Sequence, residues 1–249
     1  MKIAVVTGAS SGMGREFVRQ LPGVCPELQE IWVIARRKER LEELKKQTKV
    51  PLRLISADLT KTEEIQKIRT MFETIHPQIS VLVNAAGMGV YKKIEDSSLD
   101  ACAAMTDLNC KALTQMTQAA LPYLTKGSHI FMLASASAFL PQPGFAVYAA
   151  SKAYVLSFSR ALARELKGKT VVTIVCPGPV DTEFLDTIGG KKGIPTYKQK
   201  FIADPRKVVR KALKDGIRKK ELSVYSISMK SFHMVCKIIP HRVILNFVK

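Results

Sequence analysis

Apolar residues in this chain come in short continuous runs. Between the runs lie longer stretches in which they recur every three or four positions. The runs at 3–7, 30–35, 52–56, 79–84, 128–134 and 170–175, with a last one near 221–225, are short and rich in Val and Ile, the signature of strands buried on both faces. The stretches between them predict helices near 14–21, 38–47, 62–75, 148–167 and 205–215, and a broken helix over 98–125. Such alternation predicts an α/β fold: a parallel sheet with helices on both faces and right-handed crossovers. With no internal repeat, low-complexity tract or linker, residues 1–249 read as one domain. The stretch 178–204 contains Gly189-Gly190, Lys191-Lys192-Gly193 and Pro195 and is too irregular for one long helix. It follows the carboxyl end of a strand, where such folds bind ligands.

Two local patterns carry chemistry. The first strand runs into Gly8-Ala9-Ser10-Ser11-Gly12-Met13-Gly14, followed by a helical stretch. A strand, a glycine-rich turn and a helix N-terminus make a pyrophosphate cradle. Gly8 permits the tight turn, Gly12 lets backbone approach phosphate, and Gly14 lets helix and strand pack closely. In the second pattern, Tyr148-Ala149-Ala150-Ser151-Lys152 puts a phenol and an ammonium four residues apart, on one helix face. A positive charge beside the phenol lowers its pKa, making Tyr148 a candidate acid and base. Ser135, thirteen residues upstream, offers a hydroxyl to hold a substrate oxygen.

Thr7-Gly8-x-x-x-Gly12-x-Gly14, Asn84-Ala85-Ala86-Gly87, Ser135, Tyr148-x-x-x-Lys152 and Pro177-Gly178 occur in the order and approximate spacing of the short-chain dehydrogenase/reductase family, which the chain resembles over about residues 1–185. Met13, where isoleucine is usual, and Ala85, where a second asparagine is common, are small departures. The resemblance implies a Rossmann-type doubly wound parallel sheet of seven strands, and an enzyme acting on CH–OH groups with a nicotinamide cofactor. By the same resemblance Tyr148 transfers the proton and Ser135 orients the substrate oxygen. Lys152 binds the nicotinamide ribose, and Asn109 holds a water that connects Lys152 to solvent. Asn109 reads equally as a helix-kink or capping residue, and Ser137 is a rival to Ser135 without the usual spacing to the tyrosine. The implied cofactor-binding set is Gly8, Ser10, Ser11, Gly12, Met13, Gly14, Asp58, Leu59, Asn84, Ala85, Ala86, Gly87, Tyr148, Lys152, Pro177, Gly178, Val180 and Thr182. Asp58 matches the position that bonds adenine and also reads as a helix cap.

Charge bears on which cofactor. In the family an acid at the end of the second strand binds the ribose hydroxyls and selects NAD(H). Here that strand is followed by Arg36-Arg37-Lys38. No carboxylate repels a 2′-phosphate and two guanidinium groups are ready to hold one, which favours NADP(H) over NAD(H), with Arg36 the first contact and Arg37 the second. The alternative is that both arginines merely open a solvated helix.

The five cysteines are scattered and no metal-ligand spacing occurs, which fits a reduced cytoplasmic protein without a metal. No apolar run is long enough to span a membrane, and the first strand begins too early for a signal peptide. The formal charge is +18, and residues 191–249 hold 16 of the 39 basic residues against 3 of the 21 acidic ones. Within 226–249, Met229, Phe232, Val235, Ile238 and Ile239 fall near one helical stripe, Pro240 interrupts it, and 243–248 is strongly apolar. A basic amphipathic tail of this kind suits an anionic membrane surface, a cover for the active site, or a subunit contact. No motif supports nucleic-acid binding. The family pairs subunits through helices corresponding to about 109–125 and 148–167, which implies a homodimer or homotetramer. The tail differs from that of thioester-reducing members and looks more like members acting on steroids or other bulky lipid ketones. Met88, Val90, Phe139, Leu140, Phe145, Phe184 and Leu185 are candidates for an apolar pocket. A 3-oxoacyl thioester reductase and a non-catalytic NADP-sensing regulatory protein are the alternatives to a ketone reductase.

Overall fold

The computed structural model describes residues 1–188 and 199–246. Residues 189–198 of the 178–204 stretch, expected to be the substrate loop, and 247–249 of the tail lie outside the described residues. Strands β1 (Lys2–Thr7), β2 (Glu30–Ala35), β3 (Leu52–Ser56), β4 (Gln78–Asn84), β5 (Leu124–Leu133), β6 (Thr170–Val175) and β7 (Leu222–Ser223) form one sheet. Its order is β3-β2-β1-β4-β5-β6-β7 and every pairing is parallel. This is the Rossmann-type sheet expected. Two boundaries differ: β5 begins at Leu124, and the last strand shrinks to Leu222 and Ser223, paired with Ile174 and Val175.

The helices are α1 (Gly12–Val24), α2 (Lys38–Lys45), α3 (Thr62–Ile75), α4 (Leu99–Thr106), α5 (Leu113–Ala120), α6 (Ala146–Glu165), α7 (Glu183–Thr187), α8 (Pro205–Ile217), α9 (Ile227–Ile238) and α10 (His241–Leu245). The break expected within 98–125 is a π-helical stretch, Asp107–Ala112, joining α4 to α5. Wide π turns of this kind recur at functional sites. Local chemistry starts several helices. Ser98 Oγ accepts the Ala101 N–H at the head of α4, and Asp204 accepts the Arg206 N–H at the head of α8, with Pro205 at the first helical position.

Alternate residues of the strands feed two cores. Ile3, Val5, Trp32, Ile34 and Leu82 face α3, α5 and α6, meeting Phe72, Met116 and Val155. Ala4, Val6, Ile31, Val33 and Val83 face α1, α2 and α8, meeting Phe17, Leu21, Leu41 and Val209. Each such large side chain, buried fully, contributes about 1.5–3 kcal/mol. The strand order reverses between β1 and β4, so the crossovers diverge there and open a crevice at the strands' carboxyl ends.

Candidate active site

One cleft of about 610 Å³ lies over those carboxyl ends. Its floor is the turn from β1 into α1. Gly8 has φ +67°, and a Cβ there would stand 2.7 Å from the Ala86 N, so the turn closes against the end of β4 only with glycine. A Cβ on Gly14 would overlap the Gly8 carbonyl. Thr7 ties the two strands together, its Oγ1 accepting the N–H groups of Ala85 (3.1 Å) and Ala86 (3.2 Å). The first N–H groups of α1 have no intrahelical acceptor and carry the positive end of the helix dipole, which suits a pyrophosphate.

The adenosine end is strongly basic. Arg37 Nη2 donates to Ser10 Oγ at 3.2 Å and to Ser11 Oγ at 3.1 Å, while Nη1 donates to Glu183 Oε2 at 3.0 Å. Arg40 also donates to both Glu183 oxygens. Arg36 faces Asp58 instead. Burial of Asp58 works to raise its pKa, but hydrogen bonds from the Thr60 N–H and hydroxyl, with Arg36 and Lys61 nearby, hold the carboxyl below its ordinary value. Asp58 therefore closes a turn ahead of α3 and also lines the cleft. Both Arg36 and Arg37 line the cleft, and Arg37 is the one whose guanidinium reaches Ser10 and Ser11 of the phosphate turn.

At the other end, α6 and the Ser135 turn bring the candidate catalytic side chains together. Tyr148, Ser135 and Lys152 are all buried and all line the cleft. Burial pushes the Tyr148 phenol up to about 12. The hydrogen bond with Ser135 works against that rise, and Cys176 adds to it. The expected lowering by Lys152 is absent because the ammonium is aimed elsewhere. Lys152 Nζ donates to the Leu133 carbonyl at 2.8 Å and sits over the face of the phenol ring, 5.7 Å from its centroid. Lys152 itself is driven down to about 8 by burial, with Cys110 and Cys176 opposing. Ser137 also lines the cleft, but its backbone N–H donates to Ser135 Oγ, which leaves Ser135 as the serine beside the phenol.

Two expected site residues do not line the cleft. Asn84 turns into the core, where Nδ2 donates to Thr117 Oγ1 at 2.9 Å, so it braces β4 against α5 and does not line the cleft. Asn109, 0% exposed in the π-helical stretch, braces the chain beside the site. Its Oδ1 accepts the Met88 N–H, and its Nδ2 donates to the Met88 carbonyl and to Ser151 Oγ, each at 2.9 Å. With its amide engaged in this way, the side chain braces the Gly87–Met88 turn, and its Oδ1 and Lys152 Nζ lie 3.1 and 3.3 Å from where a Gly87 Cβ would stand. The remaining expected contacts all line the cleft: Gly8, Ser10, Ser11, Gly12, Met13, Gly14, Arg36, Arg37, Asp58, Leu59, Ala85, Ala86, Gly87, Pro177, Gly178, Val180 and Thr182.

The substrate end is apolar and aromatic. Tyr148 stacks on Phe145 (centroids 4.2 Å apart) and leans on Phe184 (5.3 Å). Leu140, Phe145, Phe184 and Leu185 line the cleft as expected, but Met88, Val90 and Phe139 do not. Met88 and Val90 pack behind Tyr148, and Phe139 lies in the core against His233 (4.3 Å). Tyr91, Gln142, Phe201, Met229 and Phe232 complete the wall and were not among the expected pocket residues. The last two belong to the tail, which therefore covers the site through one face of α9. Its stripe is not single: Met229, Phe232 and Cys236 turn inward, while Val235 and Ile238 turn outward with Ile227 and Met234.

A glycine-turn cradle and a buried phenol–ammonium pair, lining one cleft, define a dinucleotide-dependent oxidoreductase site. The chain belongs to the short-chain dehydrogenase family, whose model matches residues 2–193, and is an oxidoreductase acting on CH–OH groups with a nicotinamide cofactor. It is 38% identical over 184 residues to an uncharacterized oxidoreductase of Staphylococcus epidermidis, covering 73% of this chain and 79% of that one. Among solved structures it is similar to a short-chain dehydrogenase from Sphingobium yanoikuyae in complex with NADPH (TM-score 0.79, 21% identity, 100% and 97% of the two chains). It is also similar to the bulky-bulky ketone specific alcohol dehydrogenase from Comamonas testosteroni (0.75, 23%, 100% and 95%). A short-chain dehydrogenase/reductase from Burkholderia phymatum in complex with NAD is a third such structure (0.81, 18%, 100% and 95%).

Proposed function

We propose that this protein interconverts a ketone and a secondary alcohol, with NADP(H) preferred to NAD(H), on a bulky apolar substrate such as a steroid or lipid ketone. The observation that carries the cofactor preference is Arg37, whose guanidinium lies against Ser10 and Ser11 beside a β2 end that bears no acid. The NADPH-bound neighbour agrees, and the NAD-bound one marks the alternative. When bound, the nicotinamide supplies or accepts the hydride. Tyr148 exchanges the proton with the substrate oxygen, Ser135 holds that oxygen, and Lys152 engages the nicotinamide ribose. The cradle of Gly8, Gly12 and Gly14 and the turn Pro177–Gly178, with Val180 and Thr182, position the dinucleotide. Arg37→Ala should weaken NADPH binding about tenfold or more, the scale of a lost charge-assisted hydrogen bond, and leave NADH binding nearly unchanged. Equal losses for both nucleotides would place the 2′-phosphate elsewhere.

The aromatic wall supports the substrate class, as does the bulky-ketone neighbour. The segment 178–204 and the tail 226–249 act as covers, on the strength of Phe184, Leu185, Phe201, Met229 and Phe232 in the cleft wall. A screen of steroid and long-chain ketones against small ketones, following NADPH absorbance, tests this; turnover confined to small ketones would refute it. A homodimer or homotetramer through α5 and α6 fits the small exposed residues Ala150, Ala153 and Ala161 beside Tyr154 on α6. An active monomer in light scattering would refute it. A cytoplasmic location, supported by five cysteines that form no disulfide, goes with peripheral attachment to anionic membranes through α9 and α10 in this reading. Support for attachment comes from Ile227 (82% exposed), Ile238 (73%) and Met234 on the outward face, flanked by Lys230 and Lys237. Binding to anionic vesicles that fades with salt is expected, and indifference to them at low salt would exclude it.

A further inference from the structure

The basic corner of the cleft already holds an anion, supplied by α7. Glu183 opens α7, the helix whose next residues, Phe184 and Leu185, form the substrate wall. Its carboxylate is gripped by Arg40 and by Arg37, the arginine that also reaches Ser10 and Ser11 of the phosphate turn. Arg40 first, then Arg37, holds that carboxyl below its ordinary pKa against the opposing effect of burial, so it is ionised near neutrality. Its neighbours link the two halves of the cleft. Thr182 packs against Gly12 of the phosphate turn, with its Cβ 3.3 Å from where a Gly12 Cβ would stand. Phe184 leans on the Tyr148 ring.

We infer that Glu183 is an internal surrogate for the cofactor's 2′-phosphate, a cofactor-affinity determinant that occupies Arg37 and Arg40 until the phosphate displaces it and thereby loosens α7 at the substrate end. The inference rests on the NADP(H) reading of this corner. A phosphate monoester carries more charge than a carboxylate and offers three acceptor oxygens to the same two guanidinium forks, so it wins the arginines. A displaced Glu183 then lies near a like charge, which favours its moving away. A nucleotide without the 2′-phosphate leaves the Glu183 grip intact and α7 docked, so the terminal phosphate is read at the substrate wall as well as at the adenosine.

The test uses 2′,5′-ADP and ADP as probes of the full-length protein, by calorimetric titration. Glu183→Gln should bind 2′,5′-ADP about fivefold tighter than wild type, the upper scale of a half-exposed ion pair, because the competitor has lost its charge. ADP affinity should not change, and this also reports an intact fold. Unchanged or weaker 2′,5′-ADP binding by Glu183→Gln would overturn the inference. Hydrogen exchange provides the second arm. In wild type, 2′,5′-ADP should speed amide exchange across 183–188 relative to ADP, and in Glu183→Gln that difference should vanish. Equal exchange with both probes in wild type would also overturn it. The Arg37→Ala/Arg40→Ala double variant separates the two readings. If it binds 2′,5′-ADP like wild type, the phosphate site is elsewhere and the NADP(H) reading of this corner fails with the inference. If it loses 2′,5′-ADP while Glu183→Gln is silent, only the inference fails.

Discussion

Lys152 should make the protein less stable than it needs to be, and the pH dependence of that penalty can be worked out. Its ammonium is buried and its pKa falls from 10.5 to about 8, chiefly through burial. At about 1.4 kcal/mol per pH unit, that interval corresponds to about 3 kcal/mol of stability withheld at pH 7, where the lysine is charged in both states. Between about 8 and 10.5 the unfolded chain binds the extra proton and the folded one does not, so stability rises with pH. Lys152→Met keeps the length of the side chain and removes the charge. It also leaves the Leu133 carbonyl without its donor, a loss of about 1–2 kcal/mol that does not vary with pH. The variant should therefore be more stable than wild type at pH 7 by about 1–2 kcal/mol. Wild type should then recover about 2 kcal/mol on it between pH 7 and pH 9.5. Urea denaturation of both proteins across that range measures the gap. A gap independent of pH would show that Lys152 titrates in its ordinary range and that burial does not strain it.

Three further changes probe other parts of the molecule. Tyr148→Phe should bind nucleotide normally and lose about 10²–10⁴ in kcat, since the ring stays and the transferable proton goes; near wild-type turnover would sink the assignment. Gly178→Ala sets a Cβ 2.7 Å from Met229 Sδ and should destabilise by about 1–3 kcal/mol, and Met229→Ala in the same chain should recover most of that loss. Simple additivity of the two in thermal denaturation would mean that the tail does not seat on the Pro177–Gly178 turn. Asp215, buried under Lys211, Lys220 and Ser223, has a pKa below 3.8 because those partners outweigh its burial. Asp215→Asn should thus lower stability by about 2 kcal/mol at pH 7, with the gap closing as pH falls below about 3.8. A gap that persists in acid would assign the loss to packing.

What was legible in the sequence was local. Gly8, Gly12 and Gly14 sit within one turn, and Tyr148 and Lys152 within one helical turn, so spacing alone brings them to one place. The doubly wound sheet was equally legible, because strands buried on both faces read as short runs of Val and Ile. Side-chain direction was not. Asn84 ends β4 beside the cleft, yet its amide points to Thr117 on the opposite side. Asn109, held in the π-helical turn, spends its amide on Met88 and Ser151. Pairings between distant segments were out of reach too: Glu183 meets Arg37 and Arg40 across more than a hundred residues. The tail shows the limit of periodicity. Helix α9 is apolar on two sides, so its pattern states that something is buried without saying which face, and the structure chooses Met229, Phe232 and Cys236.

The opposed titrations of Tyr148 and Lys152 also govern how the pair should respond to pH. With the phenol at about 12, Tyr148 is fully protonated across the working range and is a ready donor to a carbonyl oxygen. Lys152, at about 8, changes charge within that range, and its ammonium is the group expected to hold the nucleotide ribose. Near pH 7 the pair is therefore a neutral acid beside a cation: protonating a carbonyl oxygen draws on the phenol, and the reverse step needs the phenolate, which burial disfavours. The pH profile of kcat/KM for NADPH reports groups of the free enzyme and should fall above about pH 8 as Lys152 loses its proton. Lys152→Arg keeps a charge that does not titrate, so whatever activity it retains should show no such fall. A wild-type profile that stays flat to pH 10, or an arginine variant that still breaks near 8, would assign the titration to another group.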